Sequence, residues 1–290
     1  CTTVTAQPKS TEGEFKLGDY KLDSGVVLAD AILGYETHGE LNADRSNVIL
    51  YPTWYTGRHM DNRAAIGVGR ALDPSKYFII VPDMFGNGLS SSPTNTPSPH
   101  DRGRFPLTTT YDNIRAQKRL CEEVFGIKRI RSVVGFSMSA QQAFHWAAVY
   151  PDMVQSIAPI CGTAKTSPHD WLHLEGMKRA LQADSNWANG DYEKPPEAGL
   201  RAFHTVSCGW FLSQTYFRNG KYKSFLGTNA KTVADFIENV ISLFSYNDAN
   251  NLLAMLATWQ SADVSNHPKF GGDLARALGA IRCPAMVMPC

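Results

Sequence analysis

The sequence has no CxxC pair, no HExxH, no complete GxGxxG fingerprint and no excess of either charge. The six cysteines (Cys1, Cys121, Cys161, Cys208, Cys283, Cys290) show no framework spacing, which excludes a disulfide-stapled scaffold. Most fall in apolar segments, where a thiol acts as a small hydrophobe, and this favours a reducing, cytoplasmic compartment. Without HExxH or comparable spacing, no metal is expected. Gly67-x-Gly69 and Gly86-x-Gly88 are turn or packing glycines rather than a dinucleotide cradle. With 28 Lys and Arg against 27 Asp and Glu, the formal charge of +1 gives no reason to expect nucleic acid or an anionic membrane. The Lys128, Arg129, Arg131 cluster is a short solvated patch. The longest uncharged stretch, Ser132–Tyr150, carries Gln141, Gln142 and three serines and is no membrane span. The N-terminus lacks the charged-then-apolar pattern of a secretory signal.

What remains is an ordinary globular chain of 290 residues, 43% hydrophobic, able to bury one core plus an inserted cap. Phe15–Glu40 reads as two strands joined at Asp23-Ser24-Gly25, and Asn47–Tyr51 as a buried strand. A helix is predicted over Arg58–Leu72, ending before Asp73-Pro74. Tyr77–Val81 is another apolar strand, followed by a Gly-, Ser- and Pro-rich loop from Phe85 to Phe105. Tyr111–Phe125 has helical spacing with Gly126 as its stop. A strand ending at Gly135-Phe136, a helix to Tyr150 and a strand over Val154–Ile160 complete a β-α-β-α-β succession. Continuous apolar strands alternating with helices mean a mostly parallel sheet covered on both faces, an α/β fold.

From Thr163 strand-like runs vanish. Helices are expected over Trp171–Leu181, Leu200–Tyr216, Val233–Phe244 and Asn250–Gln260, read as a helical cap inserted into the sheet domain. The organisation is therefore 1–162 sheet core, 163–265 cap, and 266–290 a return to the core, with a last helix Leu274–Leu278 and a last strand Ala285–Met288.

One hexapeptide, Gly135-Phe136-Ser137-Met138-Ser139-Ala140, sits between that central strand and its helix. A serine there lies on a sharp strand-to-helix turn, a nucleophile elbow, with its hydroxyl exposed and a helix N-terminus behind it. The usual G-x-S-x-G ends here in Ser139, small enough for close strand–helix approach. An acyl-transfer site also needs oxyanion donors, a base and a group orienting that base. One donor is the N–H of Met138. The other comes from Pro52-Thr53-Trp54-Tyr55-Thr56-Gly57, with Tyr55 as the candidate. No base is evident: His145, eight residues along the elbow helix, is over 10 Å away at about 1.5 Å per residue. Among the loop and cap histidines, His204 is the candidate to face the pocket.

With those residues in place the sequence resembles the homoserine O-acetyltransferase family of α/β-hydrolases. The resemblance runs from about Gly34 to the end, through Tyr35-Glu36-Thr37-His38-Gly39, Thr56-Gly57, Arg115-Ala116-Gln117, Ser137-Met138 and Tyr150-Pro151-Asp152. It continues through Ala183-Asp184-Ser185-Asn186-Trp187, Gly190-Asp191-Tyr192 and Asp248-Ala249-Asn250. It implies an α/β-hydrolase fold, Ser137 acylated as the nucleophile, Tyr55 and Met138 as oxyanion donors, acyl-CoA as a co-substrate with no bound cofactor, and a homodimer through the cap. It departs from the family where His204 replaces a carboxylate-gripping arginine and Phe211 a tyrosine. A neutral imidazole cannot replace a bidentate guanidinium, which argues against homoserine as substrate.

The resemblance also implies an acid and a histidine beyond the strand at which this sequence ends. The sequence is therefore expected to be a fragment, trimmed before Cys1 and continuing past Cys290. The expected function is serine-dependent ester hydrolysis or O-acyl transfer, on a small-molecule ester or an acyl-CoA and alcohol. Trp54, His204 and Phe211 are the candidate pocket residues, and the aromatic cap around Trp210 and Tyr216 implies an apolar group there. The alternative is a non-catalytic hydrolase-fold binding or assembly module.

Overall fold

The computed structural model describes residues 10–289; Cys1 and Cys290 lie outside the described residues. Two long strands, β1 (Ser10–Lys21) and β2 (Val27–His38), pair antiparallel from Ser10 opposite His38 to Lys21 opposite Val27, with register shifts on either side of Gly18. Their turn closes with Leu22 N donating to Val26 O at 2.8 Å, and Gly25 takes the φ of 90° that the turn requires. The strands β3 (Val48–Leu50), β4 (Phe78–Pro82), β5 (Ser132–Phe136) and β6 (Ile157–Ile160) are the short apolar runs of the sequence. They stand in the order β1-β2-β4-β3-β5-β6, with β4, β3, β5 and β6 mutually parallel and β2 antiparallel to β4. A mostly parallel sheet with crossovers on both faces results, which is the α/β class read from the sequence.

One face of the sheet packs Leu50, Phe78, Ile80 and Val133 against Ile114 and Leu120 of the preceding helix and Trp146 of the elbow helix. The other face presents Ile49, Tyr51, Ile79 and Val81 with Leu72. Helix α2 (Thr110–Arg119) starts with a capping box in which Thr109 and Asp112 serve each other's backbone N–H. It widens into one π-turn over Leu120–Val124 and stops at Gly126, φ 63°. Helix α3 (Met138–Val149) is buried along nearly its whole length. Then come α4 (Pro168–Gln182), α5 (Glu197–Cys208), α6 (Gln214–Arg218), α7 (Val233–Leu243) and α8 (Ala249–Gln260), followed by α9 (Leu274–Gly279). Leu174, Met177 and Leu181 of α4 meet Phe203 of α5 and Leu252 and Leu256 of α8 in a core of their own. Among the described residues no helix is long and apolar enough to cross a membrane.

Three expectations are corrected. The helix over Arg58–Leu72 is only α1 (His59–Asn62) and a 3-10 turn at Arg63–Ala65. Gly67 N then donates to Leu72 O, Gly69 adopts φ 78°, and Asp73 accepts from Gly69 N at 2.9 Å. Two glycines at about 1 kcal/mol each against helix, plus a competing carboxylate, break the pattern. The helix over Leu200–Tyr216 ends at Cys208 with Gly209 next, and α6 starts afresh on Ser213, whose hydroxyl caps Tyr216 N at 3.2 Å. The last strand is reduced to parallel bridges from Ala285 to Ile157 and from Met288 to Ile160.

Candidate active site

Ser137 stands between β5 and α3 at φ 58°, ψ −125°, a conformation that costs a non-glycine residue about 1–3 kcal/mol. Neighbouring backbone holds it there: Ser137 N donates to Ile160 O at 2.9 Å, and Ser137 O accepts from Ala140 N at 2.9 Å. Two glycines make room for so tight a turn. A Cβ on Gly135 would lie 2.2 Å from the Ser139 carbonyl, and one on Gly162 would lie 2.5 Å from Ser137 O. The strand–helix approach thus falls on Gly135, and Ser139 is free to carry a hydroxyl. That hydroxyl is fully buried and donates to Pro52 O at 2.6 Å.

Pro52 begins the loop named above as the second source of oxyanion donors. Trp54–Gly57 is a turn closed by Gly57 N donating to Trp54 O at 3.0 Å, with Thr56 at φ 66°. Tyr55 takes the second position of this turn. Neither Tyr55 N nor Met138 N, the first residue of α3, has an acceptor among the described residues. The carbonyls around them are engaged instead. Gln142 Nε2 donates to Thr53 O at 3.0 Å, Gln117 Nε2 to Gln142 Oε1 at 2.6 Å, and Trp146 Nε1 to Gln117 Oε1 at 2.9 Å. The side chains of Tyr55 and Met138 meet in one cluster with Met84, Met255 and Trp259. Burial raises the Tyr55 phenol well above its ordinary value, and as a neutral phenol it donates to Leu252 O at 3.2 Å.

Ser137, Trp54, Tyr55, His204 and Phe211 line one cavity of about 230 Å³, so the structure brings together every candidate except Met138, which lies buried beneath. Trp54 stands edge-on to Phe136, with ring centroids 6.0 Å apart. His204, on α5, is buried and stacks on Phe244 at 5.9 Å; burial pushes its imidazole down to about 4. Trp210, named with the aromatic cap, also lines the cavity, whereas sequence reasoning missed His173 and Phe244. His173 stacks on Trp210 at 4.5 Å across an angle of 16°, and burial lowers its imidazole too. The only signal for these residues was the aromatic density of the segment. Among the described residues no Lys, Arg, Asp or Glu lines the cavity, and burial lowers the imidazoles of both its histidines. Among the described residues no side chain hydrogen bonds the Ser137 hydroxyl. His145 is a packed residue of α3, fully buried, with Nδ1 2.8 Å from Gln141 O. The cysteines Cys121 and Cys208 are buried, and burial pushes their thiols up to about 12 and about 11.

The family model described as alpha/beta hydrolase fold matches residues 47–287. A probable esterase of Corynebacterium glutamicum is 40% identical over 98% of this chain and 82% of its own length. An ethyl acetate hydrolase of Pseudomonas veronii is 41% identical over 97% of this chain and 81% of its own. The crystal structure of an acetylester hydrolase from Corynebacterium glutamicum superposes with a TM-score of 0.91 at 38% identity, covering 96% of this chain and 80% of that one. The homoserine O-acetyltransferase of Geobacter sulfurreducens is 35% identical over 67% of this chain and 57% of its own length. The family resemblance read from the sequence is therefore corrected in its finer part: the esterases match at higher identity and over more of the chain.

Proposed function

This chain belongs to the alpha/beta-hydrolase family, and we propose that within it the chain is a serine esterase acting on small, uncharged esters. One observation carries the reading: Ser137 sits on a strained elbow that opens into a cavity with no charged lining residue among the described residues. The Ser137 hydroxyl oxygen attacks the ester carbonyl carbon, and its proton passes through a general base to the departing alcohol. The carbonyl oxygen, now an oxyanion, is received by the N–H groups of Tyr55 and Met138, each such donor being worth roughly a hundred- to a thousandfold in rate. Collapse expels the alcohol and leaves an acyl-serine, which water opens to acid and free serine.

Residues 163–265 serve as the cap over this site. A carboxylate in the cavity would have no fixed cation to pair with, since His204 is neutral where an arginine would be needed. That supports hydrolysis over homoserine acylation, although transfer from acyl-CoA would use the same intermediate. Two further readings rest on the family resemblance and on the buried thiols: a homodimer through the cap, and a cytoplasmic home.

Product analysis tests the substrate reading. The protein is supplied with ethyl acetate, and separately with acetyl-CoA plus homoserine. Release of acetate from the ester and no O-acetylhomoserine is the expected result; O-acetylhomoserine formed faster than acetate would overturn it.

A further inference from the structure

A buried polar network that the acyl-transfer steps do not use lies against the far end of the Tyr55 turn. Asp83, next to the end of β4, is fully buried. Its carboxylate accepts from His59 N at 2.9 Å, from His59 Nδ1 at 2.6 Å and from Asn87 Nδ2 at 2.7 Å. Asn87 Nδ2 also donates to Gly57 O at 3.1 Å, the last carbonyl of the turn. Opposite, β2 is cut back to make room, since a Cβ on Gly34 would stand 2.9 Å from Asp83 Oδ2. His59 begins α1 two residues after Gly57. One carboxylate therefore grips the turn twice, through the helix that follows it and through Asn87 on its last carbonyl.

The rest of the segment is fixed from the opposite side. Pro52 O and Thr53 O are held by Ser139 and Gln142 of α3, and Tyr51 O by Asn62 Nδ2 at 3.0 Å. The elbow helix thus anchors the base of the turn, and Asp83 anchors its end. Between the two anchors the Tyr55 N–H has no acceptor among the described residues.

Stability alone does not account for this arrangement. A buried charged pair is often matched or bettered by apolar residues of equal volume. The surroundings are charged on both signs: Glu36 and His38 from β2, Glu12 from β1, and Arg63 after α1, whose Nε lies 2.9 Å from Glu36. His59 Nε2 is 3.7 Å from Glu12 Oε1 and makes no hydrogen bond. His59 is thus directed by Asp83 through one ring nitrogen.

We propose that Asp83, through His59 and Asn87, is a positioning residue that aims the Tyr55 N–H and so sets the rate of acyl transfer without touching substrate. This rests on the esterase reading above. The test compares His59→Phe, His59→Asn and Asn87→Ala on p-nitrophenyl acetate, with functional Ser137 counted by fluorophosphonate titration. His59→Phe and Asn87→Ala should each lose about 10- to 100-fold in kcat per titrated serine with KM within about twofold, the pattern of an interaction felt only in the transition state. His59→Asn, whose amide N–H can reach Asp83 from nearly the position of Nδ1, should recover most of that loss. A merely structural role would lower the titrated fraction and leave kcat per serine unchanged, and that outcome overturns the inference. If His59→Phe does not fold, Asn87→Ala decides on the same criterion. Ser137→Ala is run alongside: turnover surviving in it removes the esterase reading itself, whereas its loss beside unchanged Asn87→Ala removes only the positioning role.

Discussion

The Ser139 hydroxyl donates to the Pro52 carbonyl at 2.6 Å, joining the first turn of the elbow helix to the loop that carries Tyr55. The third small residue of the elbow is thus a tie between the nucleophile's helix and the oxyanion turn. Replacing Ser139 with Ala leaves Pro52 O with only Asn62 Nδ2 at 3.4 Å. The expected cost is about 1 kcal/mol in stability, with kcat lowered as the turn loosens. Denaturant melts and kcat on the same samples check it; an unchanged melt and rate would deny the tie.

Gly162 faces Ser137 directly. In Gly162→Ala the new Cβ would start 2.5 Å from both Ser137 O and Ala140 Cβ, so the serine must move. A displacement of that order typically costs about a hundredfold in rate. The expected protein is folded, slow with p-nitrophenyl acetate and slow to react with a fluorophosphonate. A wild-type rate would mean that the elbow relaxes without consequence.

The cavity's lack of charge predicts selectivity. Monoethyl succinate, which would place a carboxylate among Phe136, His204 and Phe211, should be hydrolysed at least about a hundredfold less efficiently than diethyl succinate. The estimate follows from the several kcal/mol that an unpaired buried charge costs. Competitive turnover of the two esters reads the ratio, and comparable kcat/KM values would contradict it.

Burial pushes the His145 imidazole down to about 4, against an ordinary value near 6.5. The unfolded chain therefore binds a proton in this window that the folded chain refuses. The stability contribution is complete above about pH 6.5 and is lost as pH falls toward 4, by up to ~3 kcal/mol. Buried His204 acts with the same sign. Urea midpoints measured from pH 7 to pH 4.5 should fall, and fall less steeply in His145→Gln. Equal slopes would place the acid sensitivity elsewhere.

The parallel strands and the elbow were legible because their signals are local. Val133, Val134 and Gly135 form an apolar run that ends on a serine, and a helix follows. The helix over Arg58–Leu72 was misread because its apolar spacing hid Gly69 at positive φ and the grip of Asp73 on its N–H. Trp54, Tyr55, His204 and Phe211 were each named from sequence, yet what joins them is a meeting of the β3 loop with α5 and the segment after it. The pairing of Asp83 with His59 left no sequence signal at all. It depends on the end of β4 arriving beside the start of α1, 24 residues apart in the chain. Ser139 looked like a departure from the elbow pattern because the pattern records size alone. Its partner, Pro52, lies 87 residues away.

Mass spectrometry after exposure to a fluorophosphonate tests whether Ser137 is an activated nucleophile. One adduct per chain is expected, located on the peptide containing Gly135-Phe136-Ser137-Met138 and absent in Ser137→Ala. No adduct, or an adduct that persists in Ser137→Ala, would contradict it.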